Sequence, residues 1–125
     1  PGLHGANRTG RPFTGDYAGI ILYNALLKNG LARGAYTPPS EAAGHHNGYE
    51  DKFELISTRI TNGVRCVPPE NKPTPIEITT CNQFLKTEIA TMPNLQVILS
   101  LGSIAHNAVL KATGHKASKF KFGHA

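Results

Sequence analysis

Several features that would fix the class of this protein are scarce in its sequence or missing from it. No apolar run approaches the roughly 18 residues of a membrane-spanning helix. The start of the chain lacks the basic, apolar and small-residue regions of a secretory signal. Acidic residues number 8 against 13 lysines and arginines, which gives a net charge of +5. We therefore expect a soluble intracellular protein that is either merely basic or has a polyanionic partner.

Cysteine is also scarce, because Cys66 and Cys81 are the only two. Such a pair can form a disulfide, lie as two buried thiols, or supply half of a four-ligand metal or cluster site. A structural disulfide is the least favoured of the three in an intracellular chain. The two cysteines alone leave the other two interpretations open.

Residues 1–16 form the most distinctive segment that is present. They combine four glycines, two prolines and two arginines with Phe13 and Asp16. Glycine lets backbone N–H groups approach a ligand closely, and arginine offers a planar fork to phosphate or carboxylate. An aromatic ring adds a stacking face, and a carboxylate adds a candidate base. The segment therefore predicts a ligand-binding loop.

Apolar residues at three- and four-residue spacing predict three helices, over residues 17–28, 76–92 and 104–112. A threonine, a proline and a glutamate around position 75 form a typical start for the second helix. Asp16 directly precedes the first helix. Helix capping therefore competes with any catalytic role for this carboxylate, and one side chain can do both.

Residues 53–67 alternate in the manner of a β-strand, and the continuous apolar run 95–101 predicts a buried strand. Strands that alternate with helices indicate an α/β fold with a mostly parallel sheet. At 125 residues and 39% apolar content we expect a single domain. It would carry a surface loop over 32–52 and a stiff proline-rich loop over 68–75. Because the chain opens inside a candidate binding loop, we expect the natural protein to extend at both ends.

Ligands of open parallel sheets bind beyond the carboxyl ends of the strands, in the loops that lead into helices. Three loops qualify here. The first contains Phe13 and Asp16, the second offers the amide of Asn62, and the third leads into a helix N-terminus at Ser103, which attracts phosphate. An aromatic face, an amide and a carboxylate suit a pocket that stacks a planar heterocycle, reads its edge and activates a water.

Residues 1–16, 59–75 and 97–106 resemble the uracil-DNA glycosylase superfamily, and most of all its type B branch, family five. The related iron–sulfur branch, family four, is acidic in the middle of the first loop, where this chain has Leu-His-Gly-Ala-Asn at 3–7. The resemblance implies a three-layer α/β/α fold with a short, mostly parallel central sheet. It also implies a monomeric enzyme of the prokaryotic cytoplasm and nucleoid, which flips uracil and other deaminated bases out of DNA and hydrolyses the N-glycosidic bond.

The resemblance also assigns roles to particular residues. Phe13 would stack on the flipped base, Asn62 would read its edge, and Asp16 would position the attacking water. The first loop would contribute to base binding through Gly2, Leu3 and His4. Basic residues in or beside the loops, and one helix N-terminus, are candidates for DNA phosphates: Arg8, Arg11, Arg65, Lys72 and Ser103. The family's catalytic histidine lies in a His-Pro-Ser motif, which these 125 residues do not contain.

Cys66 and Cys81 match two of the four thiolate ligands of the family's [4Fe–4S] cluster. Two thiolates cannot hold such a cluster, so the other two would lie upstream. With a catalytic motif and two ligands absent, we expect this chain on its own to be inactive. Two alternatives stay open, namely a non-catalytic nucleic-acid-binding relative with the same fold and an α/β enzyme that acts on free nucleotides.

Overall fold

The computed structural model describes residues 12–14, 17–36 and 52–123. The chain divides into two compact units between Thr61 and Asn62, and whether they belong to one domain stays a prediction. The helices and strands, in chain order, are α1 (Tyr17–Lys28), β1 (Ala32–Arg33), β2 (Glu54–Leu55), α2 (Pro75–Ala90) and α3 (Ser103–Ala112). Short 3-10 helices lie at Pro69–Asn71 and Ala117–Lys119. No helix among the described residues combines the length and the apolar character needed to cross a membrane.

Helix α1 has the bounds that the sequence predicts. It ends because Gly30 takes a φ of 71°, which lets the N–H of Leu31 donate to the carbonyl of Leu26 at 2.9 Å. The side chain of Tyr23 is only 2% exposed and forms a core with Leu26 and Ala32. Aromatic rings extend this core, because Tyr36 stacks on Tyr23 with ring centroids 4.5 Å apart.

The sheet of the first unit is a two-stranded antiparallel pair in which Ala32 lies opposite Leu55 and Arg33 opposite Glu54. The expected surface loop over 32–52 therefore begins with a strand, and Ala32 is buried. Glycine is required at position 34, because its φ is 93° and a Cβ would collide with the backbone carbonyl of Lys52. Residues 37–51 of that loop lie outside the described part of the chain.

The predicted long strand over 53–67 is wrong, because only Glu54–Leu55 is a strand there. Ser57 takes a left-handed φ of 47°, which turns the backbone out of the extended conformation. Alternating apolar residues are not sufficient for a strand when a residue inside the run leaves the β region. The proline-rich loop that follows forms the 3-10 helix Pro69–Asn71 before α2 begins.

The second unit is built from α2 and α3. A complete capping box starts α2, as predicted: the N–H of Glu77 donates to Oγ1 of Thr74 at 3.3 Å, and the Glu77 carboxylate accepts from the N–H of Thr74 at 2.7 Å. Leu85, Ala108 and Ala112 form the buried core. The partly buried side chains of Ile89 and Val109 pack against this core.

A buried hydrogen bond joins α3 to α2, and a left-handed glycine ends α3. The buried amide of Asn82 donates from Nδ2 to the carbonyl oxygen of Ala108 at 2.7 Å and so ties α2 to α3. Gly114 has a φ of 77°, and the N–H of His115 donates to the carbonyl of Leu110 at 2.8 Å. The predicted end of this helix at residue 112 is thus confirmed.

The apolar run 95–101 is not the buried strand that its sequence predicts. It has no regular secondary structure, and Val97 and Leu99 are 79% and 76% exposed. Within the described residues the only sheet is the antiparallel β1–β2 pair, so no parallel sheet is present there. A parallel strand takes its hydrogen bonds and its burial from neighbouring strands, and none lies beside this run in the described ranges.

Candidate functional site

The described residues include about half of the predicted site. Six predicted residues lie outside them: Gly2, Leu3, His4, Arg8, Arg11 and Asp16. The others are placed: Phe13, Asn62, Arg65, Cys66, Lys72, Cys81 and Ser103. Phe13 belongs to the first compact unit and the remaining six to the second.

Phe13 occupies a strained turn just before α1. Its φ is 57°, in the left-handed region that a bulky residue rarely adopts. The half-buried ring packs against the core around Tyr23. The Tyr23 hydroxyl donates to the carbonyl oxygen of Pro12 at 2.7 Å, which fixes the backbone just before Phe13. The backbone that carries this aromatic side chain is thereby held in a strained conformation.

Asn62 lies on a loop that packs closely on α3. The next residue, Gly63, approaches this helix so closely that a Cβ added to it would lie 3.3 Å from the Cβ of Ala108. Val64 is buried, with 7% exposure. The Asn62 side chain is half-buried. A tightly packed support therefore holds an amide that can donate and accept hydrogen bonds at once.

The two cysteine side chains lie near each other although fourteen residues separate them in the chain. Both are free thiols, with Cys66 exposed and Cys81 half-buried on α2. Partial desolvation raises the pKa of the Cys66 thiol, and the nearby Cys81 and Glu77 side chains raise it further. The thiolate form is thus disfavoured until a cation lies beside it.

Two adjoining, accessible thiols fit two positions of a four-thiolate cluster site. The described ranges contain no group of three or more histidine, cysteine or acidic side chains that could hold a metal ion. The donor set seen here is therefore half of the one expected, and it is of the correct chemistry for iron–sulfur ligation.

The basic residues of the second unit differ in their surroundings. Arg65 is engaged by α2, because its Nη2 donates to Oε2 of Glu88 at 2.9 Å and its Cζ lies 5.4 Å from the ring centroid of Phe84. Lys72 is exposed after the first 3-10 helix. Ser103 is the first residue of α3 and is exposed, and no side chain caps the start of this helix.

The residues that support the site are not predicted from the sequence. The sequence predicts Tyr23 only as part of a helix, although its hydroxyl donates a hydrogen bond to the backbone next to Phe13. Phe84 and Glu88 follow Cys81 by three and seven residues, a spacing that places all three on one side of α2. That spacing is visible in the sequence, whereas the contact of this side with Arg65 depends on the tertiary fold.

Comparison with known proteins defines the class. The family model of the uracil DNA glycosylase superfamily matches residues 1–124, and the chain belongs to this superfamily, which has an α/β fold. The type-5 uracil-DNA glycosylase of Thermus thermophilus is 40% identical over 124 residues, which cover 99% of this chain and 52% of that protein. The type-5 enzyme of Pyrobaculum aerophilum is 37% identical over 124 residues, with 98% and 50% covered.

A type-4 uracil-DNA glycosylase, from Thermotoga maritima, is 35% identical over 100 residues, which cover 79% of this chain and 40% of that protein. The predicted superfamily and its type B branch are thus confirmed. The chain spans about half the length of the curated relatives it matches.

Proposed function

We propose that this chain provides the base-recognition half of a DNA repair glycosylase, which removes uracil from DNA by hydrolysis of the N-glycosidic bond. The observation that carries the proposal is the match to type-5 uracil-DNA glycosylases over almost the whole chain, at 40% identity to the Thermus protein. It includes the segments around Phe13, Asn62 and both cysteines. Other deaminated bases are proposed as further substrates, with a monomeric enzyme of the prokaryotic cytoplasm and nucleoid as the active form.

The proposed reaction begins when the target nucleotide leaves the base stack. Phe13 then stacks on the flipped pyrimidine, and the Asn62 amide donates to one atom of its edge and accepts from another. A water held by Asp16 attacks the sugar carbon that bears the base. A carbon–oxygen bond forms, the carbon–nitrogen bond breaks, and the water proton passes to the carboxylate. The uracil leaves as an anion, which the family's histidine motif would stabilise.

The strain at Phe13 supports its proposed role. A left-handed backbone at a phenylalanine costs about 1–3 kcal/mol, and such a cost persists only where the surroundings fix the conformation. The hydrogen bond from Tyr23 and the aromatic core behind it supply that fixation. A pre-oriented ring would lose little entropy when a base stacks on it.

The distribution of charge supports DNA as the partner. No aspartate or glutamate follows Glu88 in the sequence, whereas four lysines do: Lys111, Lys116, Lys119 and Lys121. The exposed Lys72 and the helix start at Ser103 are proposed to contact phosphates, together with Arg8, Arg11 and Arg65. Affinity for DNA would then fall steeply as salt increases.

A [4Fe–4S] cluster is proposed as a structural cofactor. Cys66 and Cys81 would provide two of its four thiolates, and two more cysteines would come from outside this chain. A bound cluster supplies a rigid cross-link, here between the loop at Cys66 and helix α2. The proximity of the two free thiols supports this assignment, because the fold places two sulfur ligands near each other without the metal.

The finer fold is also a proposal. A three-layer α/β/α arrangement with a short parallel central sheet would use residues 95–101 as one of its strands. The exposure of Val97, Leu99 and Leu101, at 79%, 76% and 46%, supports this, because such a run of apolar side chains needs a covering neighbour.

The proposed function is tested with the full-length protein on duplex DNA that contains one uracil. Wild-type protein should release the base, and Asp16→Ala and Asn62→Ala should each lose at least a hundredfold in rate, the typical range for a lost acid–base or electrostatic group. Asn107→Ala, at an exposed position on α3, is the matched control and should keep full activity. Activity on free nucleotides but not on DNA would contradict the proposal.

A further inference from the structure

One side of α2 carries three side chains with separate chemistry. Cys81, Phe84 and Glu88 are spaced by three and then four residues, so they form a single stripe along the helix. The stripe offers a thiol, an aromatic face and a carboxylate in that order. In the preceding loop, Arg65 contacts Phe84 and Glu88, and the next residue, Cys66, lies near Cys81.

The contacts of Arg65 are specific. Its guanidinium lies over the ring of Phe84, with Cζ 5.4 Å from the ring centroid, and Nη2 donates to the Glu88 carboxylate at 2.9 Å. The Glu88 side chain is 10% exposed and that of Arg65 is 49% exposed. A planar cation that stacks on a ring and reaches a shielded carboxylate is a match that lysine cannot reproduce.

The ion pair between Arg33 and Glu54 shows how this contact differs from an ordinary surface pair. Both of its side chains are largely exposed, at 69% and 61%, and it joins two strands that already pair through their backbones. The Arg65–Glu88 pair instead joins a loop to a helix, and its carboxylate is shielded from solvent. Exposed pairs contribute little, whereas a shielded pair next to an aromatic ring holds its geometry better.

Consecutive Cα atoms are about 3.8 Å apart, so fixing Arg65 restricts where Cys66 can lie. We infer that Arg65 is a positioning residue, which Phe84 and Glu88 hold against α2 so that the thiols of Cys66 and Cys81 stay side by side. The consequence for the cofactor rests on the proposed function: the two ligands are pre-arranged before iron arrives, and they are kept together once it is bound.

The test uses the full-length protein with two readouts, neither of which is base release. The first is the rate at which a strong iron chelator removes iron from the protein as purified. The second is the yield of the Cys66–Cys81 peptide cross-link that dibromobimane forms in the iron-free protein, normalised to the labelling of Cys66 by monobromobimane. The single variants are Arg65→Ala, Arg65→Lys and Glu88→Gln. A double variant combines Arg65→Glu with Glu88→Arg and so exchanges the two charges. Arg33→Ala is the control.

Arg65→Ala and Glu88→Gln should each speed iron loss and lower the cross-link yield by about fivefold, the effect expected for losing one ion pair with its cation–π contact. Arg65→Lys should fall between these variants and wild type, the charge exchange should recover part of the loss, and Arg33→Ala should change neither readout. Unchanged readouts in Arg65→Ala and Glu88→Gln, a charge exchange that recovers nothing, or an equal effect of Arg33→Ala would overturn the inference.

Two results separate this inference from the proposals on which it rests. A full-length protein without iron whose cross-link yield still depends on Arg65 would disprove the cluster and support the positioning. A variant Arg65→Ala with weaker DNA affinity and a normal cross-link yield would assign Arg65 to phosphate contact alone and overturn the inference.

Discussion

The hydroxyl of Tyr23 on α1 donates a hydrogen bond of 2.7 Å to the carbonyl oxygen of Pro12, one residue before the strained Phe13. Tyr23 itself is buried, stacked on Tyr36 and in edge contact with Phe53 at a centroid distance of 4.9 Å. The aromatic core of the first unit thereby extends, through one hydroxyl, to the backbone of the proposed base-stacking residue. The backbone at Phe13 is therefore held by a residue of the buried core, Tyr23.

Removal of this hydroxyl should loosen the turn while the core stays filled. We expect Tyr23→Phe in the full-length protein to lower the free energy of unfolding by about 1 kcal/mol, the net value of one hydrogen bond. It should also raise the KM for uracil-containing DNA, because Phe13 is less well oriented. Urea unfolding and steady-state excision measure the two effects.

Tyr17→Phe is the matched control for Tyr23→Phe, because the Tyr17 side chain is 76% exposed. It should change neither stability nor KM. If Tyr23→Phe lowered stability but left KM as in wild type, the hydroxyl would stabilise the core without orienting Phe13.

How far the sequence predicts this structure depends on the range of the interactions involved. The start of α2 at Thr74 and the ends of α1 and α3 at Gly30 and Gly114 were predictable, because capping boxes and left-handed glycines act within one helical turn. The run 95–101 was predicted as a buried strand and is exposed, because strand formation depends on neighbours far away in the chain.

In the candidate site, too, local features were predictable from the sequence and features that depend on distant residues were not. The chemical types at Phe13, Asn62 and the two cysteines were evident from the sequence. The left-handed backbone at Phe13 was not, since a positive φ is rare for a bulky residue and no local pattern indicates it. The engagement of Arg65 by Glu88, 23 positions away, likewise depends on packing that no local pattern specifies.

The loop that carries Asn62 should be sensitive to one added methyl group. A Cβ at Gly63 would lie 3.3 Å from that of Ala108, and Ala108 is 1% exposed and cannot move without shifting α3. Gly63→Ala should therefore destabilise the protein by about 1 kcal/mol through overpacking. It should also reduce base release by displacing Asn62. Thermal unfolding and excision assays report the two changes.

For Gly63→Ala, the substitution Gly123→Ala provides the comparison, because a Cβ there meets no atom within 4 Å and the backbone needs no left-handed conformation. Its stability should equal that of wild type or exceed it slightly. A Gly63→Ala protein with wild-type stability would show that the loop moves away from α3 more easily than the close contact suggests.

The buried amide of Asn82 should be required as a hydrogen-bond donor. Its Nδ2 donates to the carbonyl of Ala108 at 2.7 Å, in a position that is 6% exposed. Asn82→Asp keeps the shape but replaces this donor with an acceptor that faces a carbonyl oxygen. We expect a loss of about 1–3 kcal/mol at neutral pH, measured by urea unfolding.

The destabilisation by Asn82→Asp should shrink at acidic pH. The buried aspartate would have a higher pKa in the folded than in the unfolded state, so folding takes up a proton and protonation restores a donor. Asn107→Asp, exposed on α3, should show no such pH dependence. Equal stability of Asn82→Asp and Asn107→Asp from neutral to acidic pH would mean that the Asn82 amide is not needed as a donor.

Leu99, in the exposed apolar run 95–101, allows a test of the proposed central sheet. The effect of Leu99→Ala on stability should differ between the 125-residue chain and the full-length protein. In the 125-residue chain the Leu99 side chain is 76% exposed, so Leu99→Ala should change its stability by less than about 0.5 kcal/mol. In the full-length protein, where neighbouring strands are proposed to cover it, the same substitution should cost about 2 kcal/mol or more. Ile76→Ala, at a side chain that is 78% exposed at the start of α2, should be neutral in both contexts. Urea unfolding of the six proteins measures the contrast, and a neutral Leu99→Ala in the full-length protein would remove residues 95–101 from the central sheet.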